Sequence, residues 1–170
     1  MIAKLSDLVE PFAERATRLA GRIVAANLPL MLFEARRSFK RTQELFGKGR
    51  RFDPASGLFV VVDKGTVVSN ARAGESPHNW GLAADFVLDE THGRWAAEKM
   101  PPPPTPWDTK NELALYVWAQ LGELARDCDL AWGGDFASLK DLPHVEMPNW
   151  QRYRPANWKE IVVKQLRETA

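Results

Sequence analysis

The chain has 170 residues, 45% of them hydrophobic and 26% charged, with a formal net charge of +1. That length suits one globular domain, 1–170, with an apolar core of its own, and the near-zero charge gives no bulk pull toward an anionic polymer. A lone cysteine, Cys128, excludes an intrachain disulfide, and no run approaches the roughly 18 apolar residues of a membrane span.

Taken in chain order, the apolar positions Leu5, Leu8, Val9, Phe12, Ala16, Leu19 and Ile23 recur with helical period, and Pro11 should kink or restart that helix. Leu30 to Phe33 reads as a short buried strand. Ser38 is placed to cap a helix running to Phe46, with Gly47 as its stop. Residues 58–62 (LFVVV) and 66–69 (TVVS) flank Asp63-Lys64-Gly65 and predict a hairpin. LAADFVL, 82–88, predicts another strand. KMPPPPTPWD, 99–108, is neither helix nor central strand, because its prolines fix φ and remove donors; it reads as a rigid surface loop. Leu113, Val117, Leu121 and Leu124 mark a helix over 109–127, with Cys128 buried and inert. Residues 129–132 and 143–147 predict short strands around a glycine turn, and Pro155 opens a last helix with Trp158, Ile161, Val162 and Leu166 on one face. Helices and short strands that do not alternate as βαβ units predict an α+β fold.

The chain has three histidines. His78 stands beside a glycine turn, Asp85 on the strand that follows, and His144 three residues after Asp141 in DLPHVEM (141–147). Catalytic zinc takes three nitrogen or oxygen ligands and keeps a fourth position open, and His78, Asp85 and His144 would supply such a set. Asp141 would then be free to act as general base on a water whose pKa the metal lowers toward about 7. The spacing alone is a weak motif, since a histidine in a turn is more often simply hydrogen-bonded. His92, in DETHGRW, reads as a loop residue. Cys128 sits in a helical pattern and Ser76 is too near His78 in sequence for either to read as a nucleophile, and no phosphate-binding glycine loop is present. The basic clusters Arg36, Arg37, Lys40, Arg41 and Lys48, Arg50, Arg51 read as solvated surface.

These residues carry a family resemblance. SPHNWGLAAD (76–85) resembles the S-x-H-x-x-G-x-A-x-D signature of the zinc peptidases that include D-alanyl-D-alanine carboxypeptidases, D-Ala-D-Ala dipeptidases and phage L-alanyl-D-glutamate endopeptidases. AWGGDFASLKDLPHVEM (131–147) resembles the second block of that family, and EARRSFKRTQELFGKGR (34–50) the segment that precedes the signature. The resemblance implies Zn2+ held by His78, Asp85 and His144, Asp141 as the catalytic carboxylate, Arg37 as the group that polarises the scissile carbonyl or binds a substrate carboxylate, and Ser76 as a hydrogen-bond donor to substrate or to the groups around the metal ligands. Asp141 could instead cap a turn, and Arg37 could pair with Glu34. The implied fold is one small domain whose antiparallel sheet bears the zinc site, with helices packed on it.

The implied activity is cleavage of a peptidoglycan stem peptide, foremost at L-Ala–D-Glu in a phage lysis system, with a D-Ala-D-Ala carboxypeptidase or dipeptidase, or a non-catalytic, metal-containing cell-wall-binding module, as alternatives. The expected partner is the stem peptide, with no nucleic acid, no stable membrane insertion and a monomeric chain. No signal peptide is evident, so synthesis in the cytoplasm and action at the wall after release are expected. Segments 49–68 and 99–108 depart from the family pattern and could reshape substrate access. Glu146 could orient His144 from the same strand face.

Overall fold

A computed structural model describes residues 4–99, 101–103, 105–137 and 140–169. The elements are α1 (Phe12–Ala25), β1 (Leu30–Glu34), α2 (Phe39–Gly47), β2 (Arg50–Asp53), β3 (Leu58–Val61), β4 (Ala83–Leu88), α3 (Gly93–Ala97), α4 (Glu112–Asp127), β5 (Ala131–Trp132), β6 (His144–Glu146) and α5 (Trp158–Glu168), joined by short 3-10 turns. Among the described residues no helix is long and apolar enough to cross a membrane. The fold is α+β, as the element order predicts.

The main sheet runs β1-β4-β6-β5 with every neighbouring pair antiparallel. Successive side chains on a strand point to opposite faces. Leu82, Ala84, Phe86 and Leu88 therefore share one face, where they join Phe12, Ala16, Leu19 and Ile23 of α1 and Val117, Trp118, Leu121 and Ala125 of α4 in a single apolar cluster. That face holds the core. Asp85 alternates with Ala84 and Phe86 and points the other way. His144 is its direct partner across the β4–β6 ladder, so the two side chains emerge on one face.

The helices other than α3, which no sequence signal predicts, follow their sequence signals. Ser38 caps α2 by accepting the Arg41 amide at 3.1 Å, and Asn111 caps α4 by accepting the Leu113 amide. α4 starts three residues later than its apolar period suggests because the Asp108 carboxylate takes the amides of Lys110 and Asn111 into a turn. Pro11 restarts the first helix at Phe12. Cys128 is fully buried at the end of α4. The last helix packs Val162, with Trp158, Ile161 and Leu166, against Phe39 of α2.

The predicted 58–62/66–69 hairpin does not form. Residues 58–61 pair instead with Arg50–Asp53 upstream. The turn between them, Pro54 to Gly57, is closed by the Asp53 carboxylate on the Ala55 amide, by Gly57 N–H on the Asp53 carbonyl and by Gly57 at φ 69°. Asp63 then folds back on the Gly65 amide into a 3-10 turn, so 66–69 never extends alongside. The 99–108 segment is irregular where it is described, its Pro106 carbonyl accepting from the Leu88 amide; Met100 and Pro104 lie outside the described residues.

Candidate metal centre

Three elements converge on the side of the β4–β6 ladder opposite the Leu82–Leu88 core face. Asp85 comes from β4, His144 from the start of β6, and His78 from the 3-10 turn Pro77–Trp80. Gly81 ends that turn at φ 67°, a conformation that L side chains resist, and the chain then enters β4. The turn is tied to the chain before α2. Arg37 N–H donates to the His78 carbonyl at 3.0 Å, and the buried Asn79 side chain donates to the Arg37 carbonyl and the Thr42 hydroxyl while accepting from the Gly74 amide.

The donor atoms form a small triangle. His78 Nε2 lies 3.2 Å from Asp85 Oδ1 and 3.3 Å from His144 Nδ1, and His144 Nδ1 lies 2.9 Å from Asp85 Oδ1. Tetrahedral zinc at its usual distance of about 2.0–2.1 Å from nitrogen and oxygen would hold such donors about 3.3 Å apart. The triangle is therefore close to the size the ion needs. Each imidazole is also oriented from behind. His78 Nδ1 meets the Ala35 carbonyl at 2.7 Å, and His144 Nε2 meets Glu146 Oε2 at 3.0 Å. Those contacts leave His78 Nε2 and His144 Nδ1 as the metal-facing nitrogens. Both rings are buried, so neither needs its inward nitrogen for water.

Charge in the cluster is strongly coupled. Burial alone would raise the Asp85 carboxyl, but the His78 charge and hydrogen bonds from both histidines hold it far below the usual carboxylate range. Burial would lower His144, but hydrogen bonds to Asp85 and Glu146 and their charges lift it to about 10. Asp141 is raised, first by the protein around it and then by the charge of Asp85, while His144, His78 and Arg37 pull it down. Its carboxyl thus feels all three donors and Arg37, although the residue itself is exposed to solvent.

The other sequence-marked residues also gather here. Arg37 Nη2 reaches Asp85 Oδ2, the oxygen outside the triangle, at 3.3 Å, and Arg37 binds Glu34 through both Nε and Nη2. It is therefore largely withdrawn from solvent, unlike its basic neighbours Arg36, Lys40 and Arg41. Ser76 is buried two residues before His78, and its side chain does not cap the turn it precedes. His92 stays away from the centre and caps α3 by accepting the Arg94 amide.

Three supports were not legible as such in the sequence. Gly133 lets the Asp141 backbone approach, since a Cβ there would lie 2.2 Å from the Asp141 carbonyl oxygen. Trp132 donates its indole N–H to the Leu142 carbonyl at 2.8 Å and steadies the same loop. Phe136 packs its ring 5.8 Å from that of His144. The GGDF run contains two of the three, but only the folded loop shows what each one touches.

Comparison with known proteins agrees with this geometry. Residues 69–147 match the family model described as D-alanyl-D-alanine carboxypeptidase, a span that contains His78, Asp85, Asp141 and His144. The peptidoglycan L-alanyl-D-glutamate endopeptidase CwlK of Bacillus subtilis (strain 168) is 33% identical over 148 residues, covering 85% of this chain and 76% of that protein. The chain belongs to this peptidase family. Two solved structures share its fold: the vancomycin-resistance D,D-pentapeptidase VanY from a VanB-type resistance cassette, in complex with Zn(II) (TM-score 0.54, 16% identity, 91% of this chain and 78% of that one), and VanYB in complex with D-alanine-D-alanine (TM-score 0.56, 14% identity, 93% and 78%).

Proposed function

We propose that the protein is a zinc-dependent peptidoglycan peptidase that hydrolyses the L-Ala–D-Glu bond of the stem peptide, with 1–170 acting as one peptidase domain. The observation that carries this reading is the donor triangle of His78 Nε2, Asp85 Oδ1 and His144 Nδ1, with each imidazole anchored through its other nitrogen. The likeness to an L-alanyl-D-glutamate endopeptidase over most of both chains supports the choice of bond.

His78, Asp85 and His144 would hold zinc, which when bound would supply a Lewis acid and a water activated near neutral pH. The protein's own groups do the rest. Asp141, exposed and coupled to the triangle, takes the proton of the attacking water and hands it to the leaving amine. Arg37 directs guanidinium N–H groups at the carbonyl oxygen as it gains charge. Ser76, buried just before the His78 turn, serves to support the metal ligands rather than to touch the peptide. Glu146 keeps the His144 ring turned toward the metal. The GGDF…DLPH block, similar to that of phage endolysin endopeptidases, supports a lytic role at the cell wall.

Digestion of purified peptidoglycan followed by mass spectrometry tests the reading. New N-terminal D-Glu is the expected product. Released D-Ala would make the enzyme a carboxypeptidase, and no product would leave a non-catalytic metal module. His78→Ala and His144→Ala should each abolish bound zinc and cleavage together.

A further inference from the structure

β1 contains an irregularity beside the metal centre. Its ladder with β4 pairs Leu30 with Leu88, Met31 with Val87 and Leu32 with Phe86, then skips Phe33 and sets Glu34 opposite Asp85. A regular strand would have put Phe33 opposite Asp85 and carried Glu34 one position past it. One inserted residue re-aims everything after it, and such bulges are common beside active sites. Phe33, half-exposed, leans on Trp107 instead of filling the core. The cost of a broken ladder and an exposed phenyl ring thus delivers a carboxylate to the site.

That carboxylate has one evident task. Glu34 Oε2 accepts from Arg37 Nε at 2.8 Å and from Arg37 Nη2, with side-chain exposures of 23% for Glu34 and 12% for Arg37. A two-donor contact to a partly buried guanidinium fixes its plane far better than an exposed ion pair does. Arg37 also has its amide held by the His78 carbonyl and its Nη2 near Asp85 Oδ2. Its long side chain would otherwise sample several rotamers.

We propose that Glu34 is a positioning residue for the reaction: delivered by the β1 bulge, it holds the Arg37 guanidinium beside Asp85 so that the remaining N–H groups face the substrate. This rests on the role given to Arg37 above.

The test measures kcat and KM on peptidoglycan for the zinc enzyme and for Arg37→Ala, Glu34→Ala, Glu34→Gln and the double variant Glu34→Ala/Arg37→Ala. Glu34→Ala should lower kcat/KM on the order of 10–100-fold, mainly through kcat, with zinc content unchanged. Glu34→Gln should recover part of the loss, because an amide oxygen still accepts from Arg37. In the Arg37→Ala background, removing Glu34 should cost nothing further. Wild-type activity in Glu34→Ala alongside an impaired Arg37→Ala would overturn the proposal alone, as would an equal loss from Glu34→Ala whether or not Arg37 is present. A fully active Arg37→Ala would instead overturn the role of Arg37, and the proposal with it. If the alanine variant fails to fold, Glu34→Gln with and without Arg37→Ala gives the same coupling.

Discussion

Gly133→Ala is the sharpest single perturbation of the metal centre that leaves its ligands and base untouched. The new Cβ would lie 2.2 Å from the Asp141 carbonyl oxygen, 3.0 Å from its carbon and 3.1 Å from its Cβ. Carbon and oxygen do not pack closer than about 3 Å in a protein interior, so the Asp141 peptide must retreat by ~1 Å. That peptide is not free to move alone. Its N–H donates to the Gly133 carbonyl at 3.0 Å, and its carbonyl accepts from the His144 amide at 3.1 Å. The shift therefore reaches Asp141, the proposed general base, and His144 together. Overpacking of this kind costs about 1–3 kcal/mol of stability, and a misplacement of about 1 Å costs on the order of 10²-fold in rate. The assay is kcat on purified peptidoglycan, with zinc content and thermal unfolding measured in parallel. Gly21→Ala serves as control, because Gly21 lies in α1 with nothing near its Cβ, and alanine there should be neutral or stabilising by up to about 1 kcal/mol. Wild-type turnover in Gly133→Ala would refute the claim that this glycine sets the Asp141–His144 loop.

Other outcomes follow from the same geometry. Asp141→Asn should keep zinc and lose turnover by about 10²–10⁴-fold; a fully active variant would make Asp141 structural. Glu146→Ala, which frees His144 Nε2, should weaken zinc binding by about 10–100-fold in a chelator competition, and unchanged affinity would remove the orienting role. After chelation, His144 with its pKa lifted to about 10 carries a proton at pH 7.5 that zinc must displace, so zinc uptake in weak buffer should acidify the solution. For the chelated protein this raised pKa adds stability that is fully present below about 6.5 and is lost as pH rises toward about 10. Its unfolding temperature should fall across that window, and a flat profile would show that His144 is not held by Asp85 and Glu146.

Much of the molecule was written in local chemistry. The capping serine at 38, the period of α1 and α4, the extended LAADFVL and the helix restart after Pro11 depend on neighbours a few residues away, and they folded as those neighbours dictate. The candidate site was readable because the chemistry needs particular residue types: two histidines and three carboxylates in SPHNWGLAAD and DLPHVEM are hard to explain as packing. The strand 58–61 pairs upstream rather than with 66–69 because two turn signals compete, and the closure by Asp53 and Gly57 prevails over Asp63-Lys64-Gly65. What no sequence spacing could decide is distance across the fold. Antiparallel pairing of β4 with β6 places Asp85 opposite His144 although 59 positions separate them, and a single bulged residue decides whether β1 offers the site Phe33 or Glu34. The sequence alone determined which groups could do the chemistry. Only tertiary structure, through ladder register and close backbone approach, decided which of them meet.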